Sequence, residues 1–508
     1  MTIFDVIHVA RDGCSVQVSE AARDQLRLGR QHVERVLAEG GIAYGVNTGV
    51  GSHKQSRLGE ADIHAFNRRL LVAHSTVASH KTIDSQVARA AVVCLLNSLV
   101  SGLSGVRPVI VDRLVQALAD DALPELSAGA SVGASDLVPL AQLATGLFGL
   151  SDPIAGESVD RPLALAPKEA LSLMNSNAVS LGHGSLQLLA ARKLLRGFDQ
   201  AFAMSLEGFL GNPAILDAPV LRAHPQPGQK IATEHVRDIL RGSELLAGAR
   251  QPRHLQDPLS FRCAPQIHGA GYQTLAWVWQ SWEIELNAVV DNPVVDLDGG
   301  RLISHGNMDT SLLAISMDAL RCALANAVSA SAQRLHKQHW PAFSGLPSGL
   351  TEEPSALGGV QFLNLSHIAE AYAAACRAKA GPTLFTYQGQ LADGVEDHAT
   401  MLPLAVATTE ELIELAWVVQ SIELTVAAWA IIRRGIAVDS LGHGLRDVYR
   451  AIEPLLPVGR EGNQVFDMRP IVDMVREQVL VDFIDDESPP VPEFEPAPET
   501  SVVGQQGE

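Results

Sequence analysis

The chain has 508 residues, of which 47% are hydrophobic and only 5% aromatic, so a large core of small aliphatic side chains is expected. The net charge of -19, from 57 acidic and 38 basic residues, argues against nucleic acid and anionic membranes as partners. The five cysteines are scattered and form no CxxC pair, which predicts reduced thiols in a cytoplasmic protein without a metal site.

The first half of the chain predicts helices separated by small-residue loops. A short strand-like piece is expected near the N-terminus, before the first helix. Apolar residues at helical spacing and clusters of glycine then predict the following order: helix 20–39, loop 41–53, helices within 61–120, loop 124–139, helix 140–150, a helical turn at 168–173 and a long helix at 181–210.

The second half predicts longer helices and one small hairpin. The hairpin is expected at 294–304, around Asp298-Gly299-Gly300. Thr408 with Glu411 fits a capping box for a helix over 412–434. Polar residues interrupt the apolar stretch 412–432, so a buried helix is favoured over a membrane span. Further helices are expected at 269–288, 311–337 and 357–380.

This pattern predicts a mostly α fold in three regions. Residues 1–200 form an N-terminal helical region that carries the functional loops. Residues 201–484 form a long-helix bundle and a C-terminal helical region. Residues 485–508 are acidic and rich in proline, which is typical of a disordered tail with no part in the chemistry.

Seven segments, in this order along the chain, resemble the aromatic amino-acid ammonia-lyase family, and most closely its histidine ammonia-lyase (histidase) branch. Each motif alone is weak, but their common order and spacing make a chance agreement implausible. They are YGVNTGVG at 44–51, NSLVSGLSGVR at 97–107, SVGASDLVPLA at 131–141, QDPLSFRCAPQ at 256–266, EIELN with DNP at 283–293, GNM at 306–308 and EDH at 396–398.

The resemblance implies a fold and an assembly. The fold is mostly α with a long central helical bundle, of the histidase and phenylalanine ammonia-lyase (fumarase-like) type. The assembly is a homotetramer whose active sites are built from three subunits. The implied reaction removes the amine from the α-carbon and a proton from the β-carbon of a small amino acid, and the product from histidine is of the urocanate type.

The loop at 131–141 is where the chain departs most from the family. In the family, an Ala-Ser-Gly triplet cyclises into a methylidene-imidazolone, an electrophile that activates the amine for elimination. Here Asp136 follows Ala134 and Ser135 directly, so one glycine is missing. Cyclisation through the Asp136 nitrogen would place a β-carbon in a turn that glycine makes easily. The alternative is an unmodified Ser135 in a loop that only begins a helix.

Eight further residues match positions of the family that face the substrate. Tyr44 matches an acid/base for the β-proton or the leaving amine, since hydrogen-bond donors can stabilise a phenolate. His74 and Glu396 match the histidase residues that face the substrate imidazole. Arg262 matches the bidentate clamp on the substrate carboxylate. The other four matched positions are Asn175, Gln256, Leu259 and Met308.

Several of these positions hold unusual residues. Leu259 stands where the family has a catalytic tyrosine, and Met308 replaces a phenylalanine. Ser176 and His305 stand where glycine is usual. His183, His268, His305 and His398 are expected to be structural, because their spacing does not suggest a metal site. The departures cluster at the site while the scaffold motifs persist, which indicates a changed substrate or mechanism.

Three functions remain open from the sequence. The first is a histidase-like carbon–nitrogen lyase acting on histidine or a near relative. The second is an electrophile-free, ergothionase-like lyase that releases trimethylamine from a thiolhistidine betaine, since a quaternary amine leaves without activation. The third is a non-catalytic relative that serves as a binding or structural subunit. The expected partners are a small amino acid or betaine and other copies of the chain.

Overall fold

The computed structural model describes residues 1–150, 162–351, 362–387, 389–457 and 465–477. Most of these residues are helical, which confirms the prediction of a mostly α chain. The helices in the first third of the chain are short, and they are α1 (Ile3–Arg11), α2 (Glu20–Ala38), α3 (Glu60–His74), α4 (Ser85–Leu99), α5 (Pro108–Ala119), α6 (Leu137–Phe148) and α7 (Glu169–Met174).

Longer helices follow, together with a two-stranded hairpin. The hairpin is antiparallel and joins β1 (Val294–Asp296) to β2 (Arg301–Ile303), as the turn residues predict. The remaining helices are α8 (Ala178–Phe209), α9 (Ala218–Ala223), α10 (Pro227–Ile239), α11 (Leu259–Arg262), α12 (Ala264–Leu286), α13 (Ser311–His339), α14 (Pro341–Ser344), α15 (Leu363–Lys379), α16 (Leu402–Arg433), α17 (His443–Ile452) and α18 (Arg469–Glu477).

Internal contacts divide the chain into two compact units. The first unit holds Met1–Leu189, Val278–Asp318 and Pro382–Glu410, and the second holds the rest. Each unit combines segments from different parts of the chain. The single domain boundary expected near residue 200 is therefore not tested by this division and stays a prediction. The acidic tail at 485–508 lies outside the described residues.

The first unit is built from short helices and the hairpin. Helix α1 packs on α4, while α3, α6 and α7 pack on one another. The strand-like piece expected at the N-terminus is wrong, because residues 3–11 form α1. Thr2 and Asp5 make a capping box there, which satisfies N–H groups that a helix start leaves unpaired. The hairpin packs on α2 through a small cluster that includes Val33 and Val295.

Helix α16 begins earlier than the sequence predicts. Leu402 and Pro403 open this helix, and proline suits a first turn because its missing N–H has no partner there. Thr408 and Glu411 therefore lie inside the helix, and the capping box expected at them is wrong. Helices α13 and α16 have the length and composition of membrane spans, but 61% and 83% of their most apolar windows are buried in the protein, as in core helices.

The second unit encloses a buried ion pair between α13 and α16. Arg334 and Glu423 are fully buried. Two guanidinium nitrogens donate to the carboxylate at 2.5 and 2.9 Å, and the Ser205 hydroxyl donates to it at 2.8 Å. A pair of this kind contributes little net stability while it is intact, but removing one partner leaves a buried charge without compensation.

Glu423→Gln is therefore expected to lower the apparent free energy of unfolding by about 3–5 kcal/mol, measured by urea denaturation. The matched control is Glu414→Gln in the same helix, because Glu414 pairs with Arg476 at a half-exposed position. Exposed pairs contribute about 1 kcal/mol or less. Equal losses in the two variants would contradict a special role for the buried pair.

Candidate active site

A cavity of about 710 Å³ lies in the first unit, which is a usual size for a small-molecule site. Its wall is formed largely by loops that precede or follow helices. Six of the predicted site residues line it, and they are Tyr44, His74, Ala134, Asn175, Met308 and Glu396. Residues from motifs that lie far apart in the chain therefore meet at one cavity.

Ser135 and Asp136 lie directly behind this wall and are almost completely buried. Ser135 has a φ of 65°, which is uncommon for a residue other than glycine. Its hydroxyl donates to the amide oxygen of Asn175 at 2.6 Å. The serine hydroxyl is thus held by a neighbour that itself lines the cavity.

Asp136 fastens the loop 131–136 to the start of α8. Its backbone N–H donates to the carbonyl oxygen of Ser176 at 2.7 Å. Its carboxylate accepts from the Ser131 hydroxyl at 2.9 Å and from the backbone N–H and hydroxyl of Ser180 at 2.8 and 2.9 Å. Burial raises the pKa of this carboxyl, and the hydrogen bonds from Ser180 and Ser131 oppose the shift.

Tyr44 and His74 both line the cavity, Tyr44 from a loop and His74 from the end of a helix. The Tyr44 hydroxyl, in the glycine-rich loop, accepts the Gly51 N–H at 3.0 Å. His74 ends α3, and its Nδ1 lies 2.8 Å from the Leu70 carbonyl oxygen. A neutral His74 therefore carries its proton on Nδ1, which leaves Nε2 as an acceptor.

The cavity has an acidic side that the sequence analysis did not single out. Glu396 lies there with Asp397 and Asp309, whereas no lysine or arginine lines the cavity within the described residues. Asp309 accepts the Ser311 N–H at 3.0 Å and lies 2.7 Å from Nε2 of His398. These contacts lower the pKa of Asp309 against the effect of burial.

Two of the histidines expected to be structural, His305 and His398, line the cavity as well. The sequence holds a signal for both Asp309 and His398, since Asp309 directly follows the GNM motif and His398 is the last residue of the EDH motif. In the described ranges, no group of three or more histidine, cysteine, aspartate or glutamate residues could hold a metal ion.

Gln256, Leu259 and Arg262 belong to the second unit and are not among the described residues that line this cavity. The Gln256 amide oxygen accepts from both terminal nitrogens of Arg262 at 2.6 and 3.0 Å, and the Asp257 carbonyl accepts from its Nε at 2.8 Å. The guanidinium is therefore held in one orientation. Leu259 is 62% exposed and offers no polar group in place of the tyrosine.

The sequence pattern described as "Aromatic amino acid lyase" matches residues 1–454 of the chain. The chain belongs to the aromatic amino acid lyase family. A histidine ammonia-lyase from Anaeromyxobacter sp. (strain K) is 33% identical over 454 residues, which cover 85% of this chain and 88% of that protein. This aromatic amino acid lyase is therefore an enzyme, a carbon–nitrogen lyase close to histidase.

Solved structures of relatives share the fold. Ergothionase from Treponema denticola, in complex with desmethyl-ergothioneine sulfonic acid, gives a TM-score of 0.89 at 27% identity and covers 95% of this chain and 98% of that one. Histidine ammonia-lyase from Trypanosoma cruzi gives 0.83 at 23% identity, with 99% and 98% covered. The predicted helical-bundle fold of the histidase and phenylalanine ammonia-lyase type is confirmed.

Members of the aromatic amino acid lyase family use an autocatalytic methylidene-imidazolone, and the residues at 134–136 do not fit it. Ring closure requires the nitrogen of residue 136 to attack the Ala134 carbonyl carbon. That nitrogen donates to Ser176, and the carboxylate on the same residue is anchored to α8. Ala134 is in turn bridged to Asp309. Closure would break several of these contacts inside a buried loop.

Glu285 adds a pH-sensitive charge near the acidic side. Burial and the neighbouring Asp309 raise its pKa to about 7. A carboxyl with a raised pKa in the folded state stabilises the fold at pH values below its unfolded pKa, and this contribution is lost as the pH rises through about 7. Glu285→Gln is therefore expected to have little effect near pH 5 and to raise the thermal midpoint relative to the parent near pH 8.

The thermal midpoints of parent and variant should be measured across this range by calorimetry. The matched control is Glu20→Gln, because that side chain is 82% exposed and its charge costs no burial. The same pH-dependent difference in both variants would contradict the assignment to Glu285.

Proposed function

We propose that this enzyme works without a methylidene-imidazolone and releases a tertiary amine from an imidazole amino acid whose α-nitrogen is quaternary, such as the thiolhistidine betaine ergothioneine. The observation that carries the proposal is the hydrogen bond from the Asp136 nitrogen to Ser176, 2.7 Å long. This hydrogen bond engages the backbone nitrogen that would have to attack the Ala134 carbonyl carbon to form the methylidene-imidazolone ring.

The leaving group explains why the electrophile is dispensable. A primary amine leaves poorly and needs activation, whereas trimethylamine leaves as a neutral molecule. A quaternary nitrogen also has no lone pair with which to add to an electrophile. Leu259 stands where relatives have a catalytic tyrosine, so a second group associated with amine activation is replaced in the same chain.

The charge of the cavity supports a cationic substrate. Asp309, Glu396 and Asp397 contribute carboxylates, and the described lining holds no lysine or arginine. Apolar side chains, among them Leu171 and Met174, form other parts of the wall and suit N-methyl groups. Among solved structures, the similar fold of the ergothioneine-degrading enzyme from Treponema denticola agrees with this substrate class.

The elimination then requires only residues of this chain. Tyr44 takes the β-proton, and the electron pair of the Cβ–H bond forms the Cα–Cβ double bond. The Cα–N bond breaks, and its electron pair leaves with trimethylamine. Glu396 and the Nε2 atom of His74 orient the imidazole, and Arg262 binds the carboxylate as a planar fork. The proton on Tyr44 returns to solvent.

Arg262 reaches the substrate, in this proposal, from another copy of the chain in a homotetramer. Its guanidinium is oriented by Gln256 in the second unit, whereas the described residues that line the cavity belong to the first unit. Exposed apolar side chains, such as Ile284 at 68% and Leu255 at 95%, provide surface for association between copies. We place the enzyme in the cytoplasm, because its free cysteines form no disulfide framework.

Histidine is the second candidate substrate. The similarity to histidine ammonia-lyase at 33% identity and the retained His74 and Glu396 favour it. Release of ammonia from histidine would need another way to activate the amine. A non-catalytic subunit, the third possibility from the sequence, is disfavoured by the family match over residues 1–454.

The purified enzyme is expected to have the mass of the unmodified chain, since cyclisation would remove two waters. It should release trimethylamine from ergothioneine and form an ultraviolet-absorbing acrylate, with histidine turned over far more slowly. Ser135→Ala should retain turnover, because Ser135 forms no electrophile. Loss of two waters in the intact mass, with histidine as the preferred substrate, would overturn the proposal.

Arg262→Ala and Tyr44→Phe are each expected to abolish turnover, because one removes the carboxylate clamp and the other the base. When the two variants are co-expressed with different tags and purified as mixed tetramers, turnover should return. Some sites then combine Tyr44 of one chain with Arg262 of another. Mixed tetramers as inactive as their parents would contradict a shared site, and full activity of Arg262→Ala would contradict the clamp itself.

A further inference from the structure

A second buried ion pair lies beside the cavity and has no place in the chemistry described above. The Lys168 ammonium contacts the Asp291 carboxylate at 2.5 Å, and the two side chains are 0% and 3% exposed. Lys168 also donates to the Ser172 hydroxyl at 3.1 Å. The other carboxylate oxygen of Asp291 is buried without a partner among the described residues.

Lys168 occupies a strained backbone position, with a φ of 78°. Strain of this kind is unfavourable in a residue other than glycine and persists where the surroundings impose it. The neighbouring contacts do impose it. Arg107 forms a bidentate pair with the buried Glu169 at 2.7 Å, and Arg30 donates to the Pro167 carbonyl at 3.0 Å.

Lys168 and Asp291 stand beside two adjoining segments of the cavity wall. Lys168 precedes α7, and Asn175 follows that six-residue helix. Asp291 precedes Asn292, whose carbonyl accepts from the Asn175 amide at 3.2 Å. The same Asn175 accepts from the Ser135 hydroxyl. The ion pair thus closes a ring of contacts that runs through α7, Asn175 and Asn292.

His305 joins the same wall to the ring. Its Nε2 lies 3.0 Å from the Asp291 carbonyl oxygen, and its backbone N–H donates to the Asn292 side chain at 2.9 Å. Movement of the turn at 291–292 would therefore displace two residues that line the cavity, Asn292 and His305.

We infer that Lys168 and Asp291 are a positioning pair, which fixes how these two segments of the cavity wall meet and thereby the place of Asn175 and Asn292 beside the substrate. Neither side chain touches the cavity. A buried ion pair adds little stability compared with apolar residues. The short contact between Lys168 and Asp291, however, fixes the distance between the two segments that carry these residues. A misplacement of about 1 Å in the active site, even when its cause is remote from the chemistry, costs about 10²-fold in rate.

The test uses Lys168→Met, Asp291→Asn and the double variant in the full-length enzyme. Hydrogen–deuterium exchange should become faster in the peptides that cover 171–180 and 290–308. With ergothioneine, kcat should fall about 10²-fold while KM changes little. The double variant should be no slower than either single variant, because the two residues act as one pair.

The matched control is Arg334→Met, which breaks an equally buried ion pair in the second unit. It should lower stability as much as Lys168→Met but leave exchange at 171–180 and 290–308 unchanged. Equal exchange and equal loss of kcat in the two variants would overturn the positioning role. The kinetic arm rests on the proposed function. If the parent enzyme does not turn over ergothioneine, that function fails, and the exchange measurement still decides the role of the pair.

Discussion

The buried carboxylate of Asp136 joins the loop at 131–136 to the first turn of α8, and the geometry around the cavity depends on this junction. Its oxygens accept from Ser131 and Ser180, and its backbone N–H donates to Ser176. These contacts hold Ser135 in its left-handed conformation, where the hydroxyl meets Asn175. Loss of the donors to a buried acceptor costs about 1–3 kcal/mol, so these hydrogen bonds stabilise the loop in this conformation.

Two carboxylates beside the cavity accept hydrogen bonds from the N-terminal ends of helices. Asp136 accepts from the first turn of α8, and Asp309 accepts from the Ser311 N–H at the start of α13. The N-terminal end of a helix carries partial positive charge, so these two carboxylates neutralise potential that would otherwise attract an anion. The cavity is left with a negative lining, which agrees with the cationic substrate of the proposed function.

The sequence motifs predicted most of this site, for an identifiable reason. Tyr44, His74, Asn175, Met308 and Glu396 each lie within a local pattern, and the structure brings all of them to one cavity. Arg262 has an equally clear motif but belongs to the second unit, because a local motif carries no information on which part of the fold it joins. Lys168 and Asp291 lie 123 positions apart, and nothing local to either residue reveals its partner.

Errors in the predicted elements also have local causes. The first helix was missed because its apolar face is short, and its capping box at Thr2 and Asp5 decides the structure. Thr408 with Glu411 predicts a cap for a helix over 412–434 because threonine is a common cap, although Pro403 already opens the first turn. In both places the residues at the helix start, rather than the apolar periodicity, settle the boundary.

The hydrogen bonds of Asp136 also limit which sequence changes the loop at 131–136 can accept. Asp136→Gly would restore the small residue but would leave the Ser180 N–H and the Ser131 hydroxyl without their acceptor. Inserting a glycine before Asp136 would instead push the carboxylate out of register with α8. Under the proposed function, formation of the family's electrophile in this chain would therefore need at least two coordinated changes, each unfavourable alone.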